Sequence, residues 1–160
     1  MHIRPIKPSD NKKLAEIIRE VFHEHDAPQA GTVYSDPTTD HLYELFQDQK
    51  RAILWVAEQN HEVVGCCGIF PTPNLPENCV ELVKFYLAKE ARRKGIGKAL
   101  FLKSIESARQ MGYKIIYLES LPDFDKAVSM YKNEGFEMLN EPLGESGHPG
   151  CDIWMIKQIK

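Results

Sequence analysis

Arg92-Arg93-Lys94-Gly95-Ile96-Gly97-Lys98 lies between an apolar run and a long helical pattern, and the change of periodicity across it decides how the chain folds. Before it, Leu82-Val83-Lys84-Phe85-Tyr86-Leu87 is rich in apolar and aromatic residues and predicts a mostly buried strand. After it, Ala99, Leu100, Leu102, Ile105, Ala108 and Met111 recur at helical spacing and stop at Gly112, the residue type favoured just past a helix C-terminus. The seven residues therefore form a basic, glycine-bearing loop from strand to helix.

The first amides of a helix have no partner within it, and the helix dipole places partial positive charge there, so such a loop suits an anion. Arg92, Arg93, Lys94 and Lys98 add charge, and the glycines let backbone approach closely. A diphosphate-bearing ligand fits these features, yet a solvated basic turn has the same composition, and the loop alone leaves both readings open. Two nucleotide motifs fail here. A P-loop needs Ser or Thr after Gly97-Lys98, where Ala99 stands. The dinucleotide pattern finds Gly95 and Gly97 but Leu100 in place of its third glycine, which leaves a nucleotide-binding module as a remote reading.

The loop matches the R/Q-x-x-G-x-G/A signature of the GNAT acetyltransferases, with Arg92, Gly95 and Gly97 in register. Glu81 to Leu87 resembles the fourth strand of that family, and Ala127 to Phe136 resembles its A-x-x-x-Y-x-x-x-G-F segment. The resemblance covers residues 79 to 139 and implies acetyl-CoA as cosubstrate, an amine as acceptor and, as in many relatives, room for a homodimer. It implies that Arg92, Arg93, Lys94, Gly95, Ile96, Gly97 and Lys98 hold the diphosphate. Backbone groups around Phe85, Tyr86 and Leu87 would bind the pantetheine arm like an added strand. Acetyl transfer to an amine needs a base for the ammonium and an acid for the departing thiolate. The matching positions are Glu81 as base, with Glu119 in reserve, and Tyr131 as acid. On periodicity alone Tyr131 would be a packing residue, and Glu81 a solvated strand start; the motif is what selects them. One position departs from the family pattern: Phe124 stands where many members carry an asparagine that contacts pantetheine. A non-catalytic acyl-CoA sensor with the same fold is the alternative function.

Composition sets the bounds on this reading. A chain of 160 residues with 42% hydrophobic content suffices for one domain with a real core. A net charge of -3 argues against a general nucleic-acid binder and makes the charge at 92 to 98 local. No apolar run approaches membrane-spanning length, and the N-terminus has no apolar signal region. Cys66, Cys67, Cys79 and Cys151 show no C-x-x-C pair, so free thiols in a reducing cytoplasm are expected.

Along the rest of the chain, residues 2 to 7 predict a strand, and Ser9 or Asp10 a cap for a helix carrying Leu14, Ile17, Ile18, Val21 and Phe22. His23-Glu24-His25-Asp26 at its end looks metal-like, but helical residues two apart point to different faces, so no metal is expected. Residues 27 to 39 read as a loop and 40 to 49 as a short helix. Resemblance makes Tyr34, Asp36, His41 and Tyr43 of this region acceptor-site candidates. Strands are predicted at 52 to 58, 62 to 70, 114 to 119, from 136, and 152 to 159, with a helix at 124 to 134 stopped by Gly135. The glycine- and proline-bearing segment 140 to 150 reads as a loop whose His148 either faces the acceptor or decorates a hairpin. With no repeat and no linker, the expected architecture is a single α+β domain over 1 to 160, with a mixed, mostly antiparallel central sheet flanked by helices.

Overall fold

The computed structural model describes residues 1–160. In chain order it contains β1 (His2–Pro5), α1 (Asn11–Glu24), α2 (Leu42–Gln47), β2 (Ile53–Gln59), β3 (Glu62–Phe70), β4 (Cys79–Leu87), α3 (Ile96–Gln110), β5 (Ile115–Ser120), α4 (Asp125–Asn133), β6 (Glu137–Met138) and β7 (Ile153–Gln158). The strands form one sheet in the order β1-β2-β3-β4-β5-β7-β6. Every neighbouring pair is antiparallel except β4 and β5. A parallel pair needs a crossover, and α3 supplies it, which is why the basic loop lies between the two central strands and not in a hairpin.

Strand alternation sorts side chains to the two faces. Leu54, Val56 and Cys66 pack with Leu14, Ile18, Phe22, Leu42 and Phe46 of α1 and α2. Cys67 and Ile69 pack instead with Leu100, Phe101 and Ile105 of α3. On that second face the Trp55 indole N–H donates to Ser107 Oγ at 2.9 Å, and the Lys103 ammonium lies 4.4 Å from the Trp55 ring centre. The β2–β3 hairpin turns at Asn60 and His61, with φ of 54° and 65°. Two successive positive values are what a two-residue turn needs to match strand twist.

Gly68 fits the sheet only as glycine. A Cβ there would sit 2.3 Å from the Ile53 carbonyl oxygen of the paired strand, so the backbone itself would have to move. Gly68→Ala should destabilise the fold by about 3 kcal/mol, read as a lower midpoint in urea. An unchanged midpoint would mean that the strands can separate at no cost.

Three expectations are corrected by the structure. The first strand ends at Pro5. Asp10 does not cap α1 through its side chain; it is buried and accepts the Lys7 amide at 2.7 Å and two guanidinium N–H groups of Arg4 at 2.8 and 3.0 Å. Arg4 also donates to Glu58, so one cation joins β1, β2 and the helix start. Burial opposes ionisation of Asp10, and the Arg4 and Lys7 bonds still hold it below the ordinary carboxylate range. The strand expected from Phe136 is only Glu137–Met138. No helix is long and apolar enough to cross a membrane.

Candidate active site

The parallel ladder between β4 and β5 runs only from Cys79 with Ile115 to Glu81 with Tyr117. Beyond it the strands part. The local cause is a bulge: Cys66 pairs with Tyr86 and Gly68 with Val83, so Lys84 and Phe85 together oppose Cys67. Lys84 takes a left-handed φ of 57°, and its carbonyl accepts the Cys66 thiol at 3.0 Å. Such a bulge bends its strand and re-aims side chains. The separated strands, α1 and α4 enclose a cavity of about 420 Å³.

At one end of the cavity lies the basic loop. Arg93 and Gly95 have left-handed φ values of 65° and 81°, and Gly97 is the second residue of α3. The amides of residues 93 to 98 donate to no group of the protein. Six free consecutive N–H groups at a helix start make a nest for an anion. A Cβ on Gly97 would lie 3.6 Å from both Phe85 and Leu87, so glycine keeps this floor open. Arg93 and Gly97 line the cavity, Lys94 and Lys98 are exposed beside it, and the Ile96 side chain is buried in the core. Arg92 is already engaged: its guanidinium donates twice to the Leu87 carbonyl, at 3.0 and 3.2 Å, and pairs with Glu24 at 2.5 Å. It braces the end of β4 against α1.

Glu81 and Tyr131 line this cavity together with the backbone-bearing segment Phe85, Tyr86 and Leu87. Glu81 is 4% exposed and accepts the Thr72 hydroxyl at 2.5 Å. Burial, followed by the nearby Glu119 charge, pushes its pKa up to about 7, although the Thr72 bond pulls the other way. Tyr131 is buried among Phe85, Phe101 and Phe136, with ring centres 5.9 to 6.3 Å away. Its hydroxyl has no hydrogen-bond partner in the protein, and burial raises it above the ordinary phenol range, so it carries its proton at neutral pH. Glu119 also lines the cavity, but both its oxygens are engaged, by Tyr117 Oη at 2.7 Å and Ser146 Oγ at 2.5 Å. Phe124 forms an apolar wall, edge-on to Phe22 at 5.2 Å, and brings no polar group.

Of the acceptor candidates, His148 reaches the cavity from the 140 to 150 loop, held by Asp36 at 2.7 Å. Tyr34 bonds His23 at 2.9 Å and lines a different surface hollow, and His41 and Tyr43 line neither space. The segment His23 to Asp26 is divided in use: Glu24 holds Arg92, and His25 lines the cavity wall. Sequence reasoning missed Lys84, Cys151, Thr72 and Ser146. Only Lys84 left a signal, as a lysine inside an otherwise apolar strand.

Residues 18–136 match the sequence model of the acetyltransferase (GNAT) family. The chain belongs to that family. It is 35% identical over 158 residues to the uncharacterized N-acetyltransferase YjgM of Escherichia coli K12, covering 98% of this chain and 94% of that one. It is 33% identical over 121 residues to human N-acetyltransferase 8, covering 72% of this chain and 53% of the human protein. Among solved structures, a GNAT-family acetyltransferase from Staphylococcus aureus superposes with a TM-score of 0.82 at 23% identity over 99% of both chains. An acetyltransferase from Salmonella typhimurium, determined with acetyl-CoA, superposes at 0.74 with 19% identity over 100% of this chain and 94% of that one.

Proposed function

We propose that this GNAT chain transfers an acetyl group from acetyl-CoA directly to a primary amine. The observation that carries the reading is one cavity lined by a buried carboxylate poised near pH 7 and an unpartnered, protonated phenol, with a free amide nest at its end. The amides of 93 to 98 hold the diphosphate, with Arg93, Lys94 and Lys98 adding charge, while Arg92 fixes the loop to β4. The side of β4 that β5 leaves uncovered beyond Glu81 takes the pantetheine arm as an added strand around Phe85 to Leu87, where Arg92 already holds the Leu87 carbonyl. Glu81 removes a proton from the acceptor ammonium, directly or through water. The amine nitrogen bonds the acetyl carbon, the carbon–sulfur bond breaks, and the thiolate takes the Tyr131 proton. The nitrogen's second proton leaves as the amide forms and returns the Tyr131 phenolate to phenol, while Glu81 releases its own proton to solvent. The four unpaired thiols suit a reducing compartment such as the cytoplasm.

Acetyl-CoA and CoA should raise the unfolding temperature where ATP and NAD do not; a ligand at about a hundred times its dissociation constant adds roughly 2.7 kcal/mol. Gly97→Glu places an anion and bulk where the amides converge, and calorimetry should then find no binding of acetyl-CoA. Retained affinity would displace the nest as the diphosphate site. Coenzyme binding without thiol release across an amine panel would favour the sensor over the enzyme.

A further inference from the structure

Lys84 lines the cavity, and the proposed acetyl transfer gives it no role. It is 7% exposed and its ammonium has no hydrogen-bond partner, although it is held there by a left-handed backbone that a lysine rarely adopts. Every acid near it is already engaged: Asp36 by His148 and Thr38, Glu81 by Thr72, Glu119 by Tyr117 and Ser146. The ammonium thus reaches the cavity space with no hydrogen-bonding group of the protein beside it, where a cation so little exposed to solvent gains from an anion. An anion arriving with the substrate would fill that role.

Resting on the acetyltransferase reading above, we infer that the acceptor is an amino carboxylate, whose carboxylate pairs with Lys84 while its ammonium faces Glu81. The surrounding charges fix the class. Glu81, Glu119 and Asp36 together disfavour a dianionic phosphate beside Lys84. A polyamine or simple amine would instead bring a second cation beside an ammonium that has no hydrogen-bond partner. A monoanion with an ammonium of its own meets both demands. The cavity also takes the pantetheine arm, so a small molecule fits better than a folded protein. Its walls at Val33, Leu121 and Phe124 suit an apolar side chain. Burial depresses the Lys84 pKa while Asp36 and Glu81 raise it, and an incoming carboxylate adds to the second effect, so substrate binding would hold the lysine charged.

The test uses matched acceptors with acetyl-CoA: phenylalanine, phenylalaninamide and phenethylamine, then methionine, methioninamide and 3-methylthiopropylamine. The wild-type protein should prefer the carboxylate-bearing member of each set by at least about ten-fold in kcat/KM. In Lys84→Met that ratio should collapse towards one, with KM for acetyl-CoA nearly unchanged. Equal wild-type turnover of acids, amides and amines, or an undiminished preference in Lys84→Met, would overturn the inference and leave the acetyltransferase reading standing. Thiol release with none of the six acceptors, in a protein that binds acetyl-CoA, would overturn both. If Lys84→Met does not fold, the wild-type comparison decides alone.

Discussion

Tyr131→Phe should lower kcat by about a hundred- to ten-thousand-fold, the usual contribution of a positioned acid, while KM for acetyl-CoA changes little. The change removes one oxygen. The ring stays among Phe85, Phe101 and Phe136, and the hydroxyl has no partner in the protein to leave stranded. The hydroxyl reaches the cavity space and no group of the protein loses a bond with it, so the unfolding temperature should hold. Loss of activity with intact stability would therefore report proton donation to the departing thiolate. A kcat within two-fold of wild type would remove Tyr131 from the mechanism.

Glu81→Gln should cost about a hundred-fold or more in kcat/KM and should also change the pH profile. In the wild type the base form of Glu81 grows as pH rises, so kcat/KM should climb through a limb near 7, the value to which burial and Glu119 bring this carboxyl. The glutamine has no such limb. Its amide oxygen can still accept the Thr72 hydroxyl, so the local fold should persist. Stability gives an independent readout with a definite sign. A carboxyl raised from an ordinary 4.5 to about 7 binds its proton more tightly when folded. Its stabilising contribution is complete below 4.5 and is lost as pH climbs through 7, about 3 kcal/mol in all. Denaturant titrations should show this decline in the wild type and its absence in Glu81→Gln, which should be the more stable protein at pH 8. Were the variant to keep both activity and the limb near 7, another group, Glu119 first, would be the base.

Much of the architecture was legible because its determinants are local. The 3.6-residue spacing from Leu14 to Phe22 and from Ala99 to Met111 gave α1 and α3 nearly to their ends. Gly112 and Gly135 adopt φ of 87° and 92° just past the helices they stop, a conformation other residues enter only with strain. The nest at 93 to 98 was readable for the same reason, since free amides at a helix start follow from the helix itself. The roles proposed for Glu81 and Tyr131 rest on a motif; periodicity would have assigned one to solvent and the other to packing.

Other features required distant segments to meet. Arg92 looked like a phosphate ligand, yet Glu24, 68 residues away, and the Leu87 carbonyl hold its guanidinium. Thr72 reaches Glu81 because of the register of β3 on β4, and Ser146 reaches Glu119 from a loop with no periodicity to read. The bulge at Lys84, which opens the cavity, is set by the pairing of two strands and not by the strand that contains it. By itself the sequence determined which stretches coil, which extend and where each stops, because backbone conformation and side-chain period are properties of neighbouring residues. Only the tertiary structure decided which charges are buried and which already have partners, because desolvation and pairing depend on what the rest of the chain brings to the same point in space.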